Sequence, residues 1–265
     1  MTDKVAPVLE TATTETSWWN SLTSLLRADV TAQLRNYMSL ILNFALPTIL
    51  LVAVSLGKSQ TKVRKLGGPD VIVELALTVG LVSIGCIAYS MSVAQDRDRG
   101  VLQRLRVTPA PTWTIMASRA IVQVAAVLVM SIEVLVVARF VENVTLSASG
   151  YVLTVVAALL GTAVFLSIGQ AIVGLIPSFE TLNAAGRFLY LPLIGLSIFG
   201  QSDVLGTPFE MVSRWSPGGC LETLLSSAMG VTGWNGQTWG AVFASVGYTV
   251  VFAVIGVRWF RWTAK

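Results

Sequence analysis

Residues 88–123 read AYSMSVAQDRDRGVLQRLRVTPAPTWTIMASRAIVQ. They leave one long apolar segment, Val71–Gln95, and enter another, Trp113–Ala138. Each is long enough to cross a hydrocarbon core of about 30 Å, which takes roughly 20 helical residues. Between the two runs, Val101, Leu102 and Leu105 give a short helix an apolar face, and Arg97, Arg99, Arg104 and Arg106 give it a charged one. Asp96 or Asp98 can cap it, and Thr108–Pro109–Ala110–Pro111 stops it. The plain reading is a basic loop that only sets membrane orientation. Such a loop needs no apolar face, no acidic residues and no sharp stop. An apolar face between charges suits a groove in another protein.

The rest of the chain agrees with a membrane setting. Of 265 residues, 54% are hydrophobic and only 12% charged, and mean hydropathy is +0.72. A soluble domain carries about 25% charged residues. Histidine is absent, so no Ser-His-Asp triad, Cys-His pair or imidazole metal site can form. Cys86 and Cys220 make neither a zinc ligand set nor a disulfide framework. No catalytic or metal-binding residues are therefore expected. The net charge of +4 points to basic loops facing anionic lipid rather than to nucleic acid.

Six segments meet or approach the length of a span: Met38–Gly57, Val71–Gln95, Trp113–Ala138, Tyr151–Ile176, Arg187–Gly200 and Trp239–Val257. The fifth is short and contains Pro192, and it has room to start as early as Asn183. The expected fold is an all-α integral membrane protein. Residues 1–16, polar and without an apolar run, read as a flexible cytosolic tail rather than a signal peptide. Residues 17–37 read as an amphipathic interface helix, and 38–265 as a six-helix transmembrane domain with a coupling loop at 96–111 and an outer cap at 201–238. In the interface helix Trp18, Leu22, Leu25, Leu26, Val30, Leu34 and Tyr37 share one stripe. Asn20, Ser24, Arg27, Thr31 and Arg35 share the other. A plain membrane anchor and a partner-contacting helix fit this pattern equally. In the cap, Pro208–Trp215 and Cys220–Met229 read as two short re-entrant or amphipathic pieces separated by Pro217, Gly218 and Gly219.

With the N- and C-termini in the cytosol, twelve Lys and Arg residues lie inside and six outside, although Lys58–Lys65 opposes the trend. Glu133, Glu222 and Phe199 are candidates for a substrate path or cap. Snorkelling, or pairing within the protein, is the alternative for the carboxylates. Gln170 and Asn183 are expected in interhelical hydrogen bonds. Ala157/Gly161, Gly169/Gly174 and Gly240/Ala244 are expected at close helix crossings.

The quoted loop resembles that between spans two and three of type 2 ATP-binding-cassette permeases of the daunorubicin-resistance kind. Asp96, Asp98, Gly100, Val101, Leu102, Leu105, Thr108 and Pro109 match. Asp stands where the family usually has Glu, and Ser216-Pro217 replaces an Asn-Pro dipeptide. The order of elements, from amphipathic helix to Pro-containing fifth span and outer segment, resembles the family over most of the chain.

The resemblance implies a transmembrane half-transporter in the cytoplasmic membrane. It would pair with a second copy or a sister permease and with separate ATPase subunits that bind ATP and Mg. Residues 96–102 and 104–106 (Asp96, Arg97, Asp98, Arg99, Gly100, Val101, Leu102, Arg104, Leu105 and Arg106) would meet the ATPase. Trp18, Leu22, Leu26, Arg27 and Arg35 would form the interface helix. The substrate would be amphiphilic or hydrophobic: a drug, an antibiotic or a lipid. The chain itself would hold no cofactor. Gly57-Lys58-Ser59 is not a phosphate-binding loop, since Val52 stands where the first Gly is required. A lipid-acting membrane enzyme or an assembly subunit is the competing reading. The first would need convergent acids and bases at one depth.

Overall fold

The computed structural model describes residues 18–57, 68–107, 111–199 and 207–260. The described residues are helical with short connections and carry no strand. The elements are α1 (Trp18–Arg35), α2 (Tyr37–Leu56), α3 (Pro69–Asp98), α4 (Val101–Arg106) and α5 (Thr112–Val141). They continue with α6 (Ala148–Leu175), α7 (Phe179–Phe199), α8 (Thr207–Arg214), α9 (Pro217–Met229) and α10 (Gly236–Arg258). Among the described residues, α2, α3, α5, α6 and α10 are long and apolar enough to cross a membrane. The expected tail at 1–16, the cluster Lys58–Lys65, and 108–110 and 201–206 lie outside the described residues.

The centre of the bundle is α3. Leu77, Leu81, Val82 and Ile84 are fully buried, packed among Val127 and Met130 of α5, Phe165 of α6 and Leu221 and Leu225 of α9. Most of α2 and α10, by contrast, faces outward, and their apolar surfaces need lipid or another helix to cover them. Midway along α3 the backbone widens into a π turn over Val82–Ala88. This is where α6 comes closest. A Cβ on Gly169 would lie 2.9 Å from the Cys86 carbonyl oxygen, and Ser90 Oγ reaches the carbonyls of Cys86 and Gly169. Close crossings occur at the expected Gly169 and Gly174, whereas Gly240 meets a side chain of the turn before α9 rather than another helix. A Cβ on Gly174 would lie 3.1 Å from the Gly256 carbonyl oxygen of α10, and one on Gly240 would meet the Trp215 ring.

Two boundaries differ from expectation. The fifth helix starts at Phe179, eight residues before Arg187. Ser178 accepts from Thr181 N–H at 3.2 Å, and Asp98 accepts from Phe179 N–H at 3.1 Å. These caps support a first turn that the charges of Glu180 and Arg187 hide from a hydropathy reading. In the cap, Pro217-Gly218-Gly219 is not a separator but the first turn of α9. Ser216 caps it through Gly219 N–H at 3.1 Å, and proline fits the first helical position because its missing N–H would have no partner there. Gly219 is required by the fit of α8, since a Cβ would lie 2.1 Å from the Ser213 carbonyl oxygen.

Candidate functional site

The site lies at the end of the bundle where α3 turns into α4. Helix α3 stays helical to Asp98, so Asp96 is inside its last turn and cannot cap the next helix. The turn is made instead by Gly100, at φ +70 in the left-handed region, where a side chain would be strained. The expected capping of α4 by Asp96 or Asp98 is thereby corrected. Asp96 bonds to α5 instead, and Asp98, itself exposed, bonds to the start of α7.

Three side chains tie this root to the rest of the molecule. Arg97 is 1% exposed, with Nη1 donating to Val173 O and Nη2 to Ile176 O, each at 2.8 Å. These carbonyls close the C-terminal end of α6, where a cation is favoured by the helix dipole. Next to it, Asp98 Oδ2 accepts the first N–H of α7, the end that favours an anion. One arginine and one aspartate, adjacent in sequence, therefore clamp both sides of the α6–α7 turn. Asp96 Oδ2 pairs with Arg119 Nη2 of α5 at 2.6 Å.

Helix α1 joins the same assembly. It packs along α5, with Leu22 buried and Leu25 and Leu26 half-buried, while Arg27 and Arg35 are exposed. Trp18 meets Trp113 at 6.0 Å between ring centres. Ser118 of α5 donates to Asp29 Oδ2 at 2.5 Å. Asp29 falls on the apolar stripe of this helix, one turn after Leu25 and Leu26 and two after Leu22, a carboxylate on the packed face. Burial pushes its pKa above the ordinary 3.8, opposed by the Ser118 hydrogen bond and Arg119 and assisted by Asp96. A carboxyl whose folded pKa is raised makes the native state hold its proton more tightly than the unfolded chain does. Stability from this group is full below pH 3.8 and falls as pH rises through the raised value. Asp29→Asn removes that slope. Thermal unfolding of the variant between pH 4 and 7 is expected to run flatter than that of the parent.

The expected docking ridge on α4 is only partly outward. Leu102 is fully buried against Tyr89, Val93, Ile115, Val173 and Leu182, and Leu105 packs on that cluster. The apolar face seats α4 on its own chain, because the left-handed turn at Gly100 folds the helix back. Arg97 likewise faces inward. What α4 and its root turn outward is Asp98, Arg99, Gln103 and Arg104, with Val101 and Gly100 half-exposed. The side chains of Arg106 and Phe199 lie outside the described residues.

Elsewhere, Glu133 accepts from Thr48 Oγ1 of α2 at 2.9 Å. Gln170 accepts from the Tyr89 hydroxyl at 2.6 Å, the interhelical bond expected of it. Glu222 is buried in α9.

A family model described as ABC-2 type transporter matches residues 20–229, from the first turn of α1 to the end of α9. The chain belongs to the ABC-2 type transporter family. No curated protein matches it. As an ABC-2 permease it is a multi-pass membrane protein, the transmembrane component and not the ATPase, and the family generally works with an ABC ATPase subunit. In this ABC-2 permease the turn between α3 and α4 is clamped to α5, α6 and α7.

Proposed function

We propose that this permease is half of an ATP-driven exporter in the cytoplasmic membrane, of the daunorubicin-resistance-like kind. Six helices cross the membrane in this reading, α7 being the fifth crossing, and both termini are cytosolic. A second copy or a sister permease completes the path, and separate ATPase subunits hold ATP and Mg. The cargo is an amphiphilic or hydrophobic drug, antibiotic or lipid. The observation that carries the reading is the anchoring of α4. A push on a loop moves membrane helices only if its root is stiff, and Arg97, Asp98 and the Asp96–Arg119 pair join that root to α5, α6 and α7. Arg99, Gln103 and Arg104 are left outward for charge-directed contact with the ATPase.

The test is co-purification with the ATPase and hydrolysis measured against a panel of lipids and drugs. Arg104→Glu removes an outward charge without touching the packed face. It should lower stimulated hydrolysis at least fivefold and reduce co-purification, while leaving thermal stability unchanged. Undisturbed coupling in this variant would remove α4 from the mechanism.

A further inference from the structure

At the opposite end of the bundle from α4, helices α8, α9 and α10 enclose a cavity of about 240 Å³. Most of its lining is polar: Ser213, Thr223, Asn235, Gln237 and Thr238 carry hydroxyls and amides, and Arg214 lines it as well. Glu222 also lines it, 7% exposed and with Oε2 lacking any hydrogen-bond partner. Behind it Glu74 of α3 is 1% exposed, facing Ser226 of α9. Asp70 lies one turn before Glu74 on the same face of α3.

A buried carboxyl without a partner is costly as the anion, so it holds its proton until something positive reaches it. Among the described residues no three acidic or thiol side chains converge here. The surrounding hydroxyls and amides suit a group that donates several hydrogen bonds at once. A volume of about 240 Å³ is below the roughly 300 Å³ at which drug-sized pockets begin, so it takes a few heavy atoms and not a whole amphiphile.

We infer that this cavity binds the ammonium end of a small zwitterionic headgroup, with Glu222 receiving the ammonium and the Arg214 side of the cavity receiving the oxygen-rich end. The inference goes beyond the export reading and does not depend on it. The same chemistry is offered by a free phosphorylated amine and by an aminophospholipid.

The test uses the full chain in phosphatidylcholine nanodiscs and follows thermal unfolding against added phosphoethanolamine. Glycerol phosphate, which has the anion without the ammonium, is the control. Phosphoethanolamine should raise Tm saturably and glycerol phosphate should not. Glu222→Gln should shift half-saturation at least tenfold to higher concentration.

Nanodiscs containing phosphatidylethanolamine separate the two sources. A higher starting Tm with no further response to the soluble headgroup identifies the lipid, and an undiminished response identifies the free molecule. Equal shifts from both probes, no shift, or an unaltered Glu222→Gln response would each overturn the assignment. Should that variant not purify, the comparison of the two probes on the parent chain decides alone. ATP hydrolysis plays no part in the readout, so failure of the exporter reading leaves this result standing.

Discussion

Replacing Arg97 by alanine is expected to lower the stability of the permease by about 3 kcal/mol, among the largest effects of any single change at the loop end. A hydrogen bond to a charged group contributes roughly 1.5–3 kcal/mol, and Arg97 makes two, both to the carbonyls that end α6. Truncation leaves Val173 O and Ile176 O without these donors and opens the space that a fully buried guanidinium fills.

Lysine should recover less than half of the loss. An ammonium keeps the charge but not the planar fork that reaches two carbonyls at once. Thermal unfolding in detergent, compared across parent, Arg97→Lys and Arg97→Ala, measures both steps. A lysine variant as stable as the parent would show that charge alone, and not the fork, closes the α6–α7 turn. The functional consequence should follow the same order. With the turn unclamped, α4 moves independently of α6 and α7, and ATPase stimulation by cargo should fall even where the complex still assembles.

Arg97 also marks the limit of what a sequence can disclose. The apolar runs place five long helices to within a few residues, because burial in lipid demands continuous hydrophobicity and little else satisfies it. The same reasoning locates the charged turn after the second long run. It does not distinguish Arg97 from Arg99, two residues apart. One points into the protein and the other out, and the choice depends on where the end of α6 lies in space.

What Asp29 and Asp98 bind was hidden for a related reason. Each is spent on a bond about 80 to 90 residues away along the chain, to Ser118 and to Phe179, and long-range partners leave no local pattern. Leu102 shows the opposite error. Its place on an amphipathic face is plain from spacing, but spacing does not say whether that face meets another subunit or its own chain. The left-handed Gly100 settles it by folding α4 back. The start of α7 was blurred because Glu180 and Arg187 interrupt the hydropathy signal, whereas the hydrogen bonds that cap it come from Ser178 and from Asp98 of another helix.

The Asp96–Arg119 pair supplies a test that separates stability from coupling. Arg119 is 8% exposed, and of its guanidinium nitrogens only Nη2 has a bonded partner, Asp96 at 2.6 Å. Arg119→Met leaves Asp96 beside Asp29 with no cation between them. Breaking a pair from one side costs most where the remaining charge is fully buried. Asp96 is 26% exposed and partly screened by solvent, so a loss of about 2 kcal/mol is expected. The same substitution deprives Asp29 of the one positive charge acting on it, so its raised pKa moves further up. The fall in stability with pH should then extend to higher pH than in the parent, a shift that Asp29→Asn should cancel.

Adding Asp96→Asn to Arg119→Met removes both members of the pair. Stability should return to within about 1 kcal/mol of the parent, since a pair replaced by neutral groups relieves its own desolvation cost. Coupling should not return. The double variant has a sound fold but no charge link between the root of α4 and α5, and ATP hydrolysis should remain at its unstimulated rate in the presence of cargo. Recovery of stability and stimulation together would mean that the ion pair serves only the packing of α3 against α5. Recovery of stability alone would locate the transmission of the ATPase stroke in this contact.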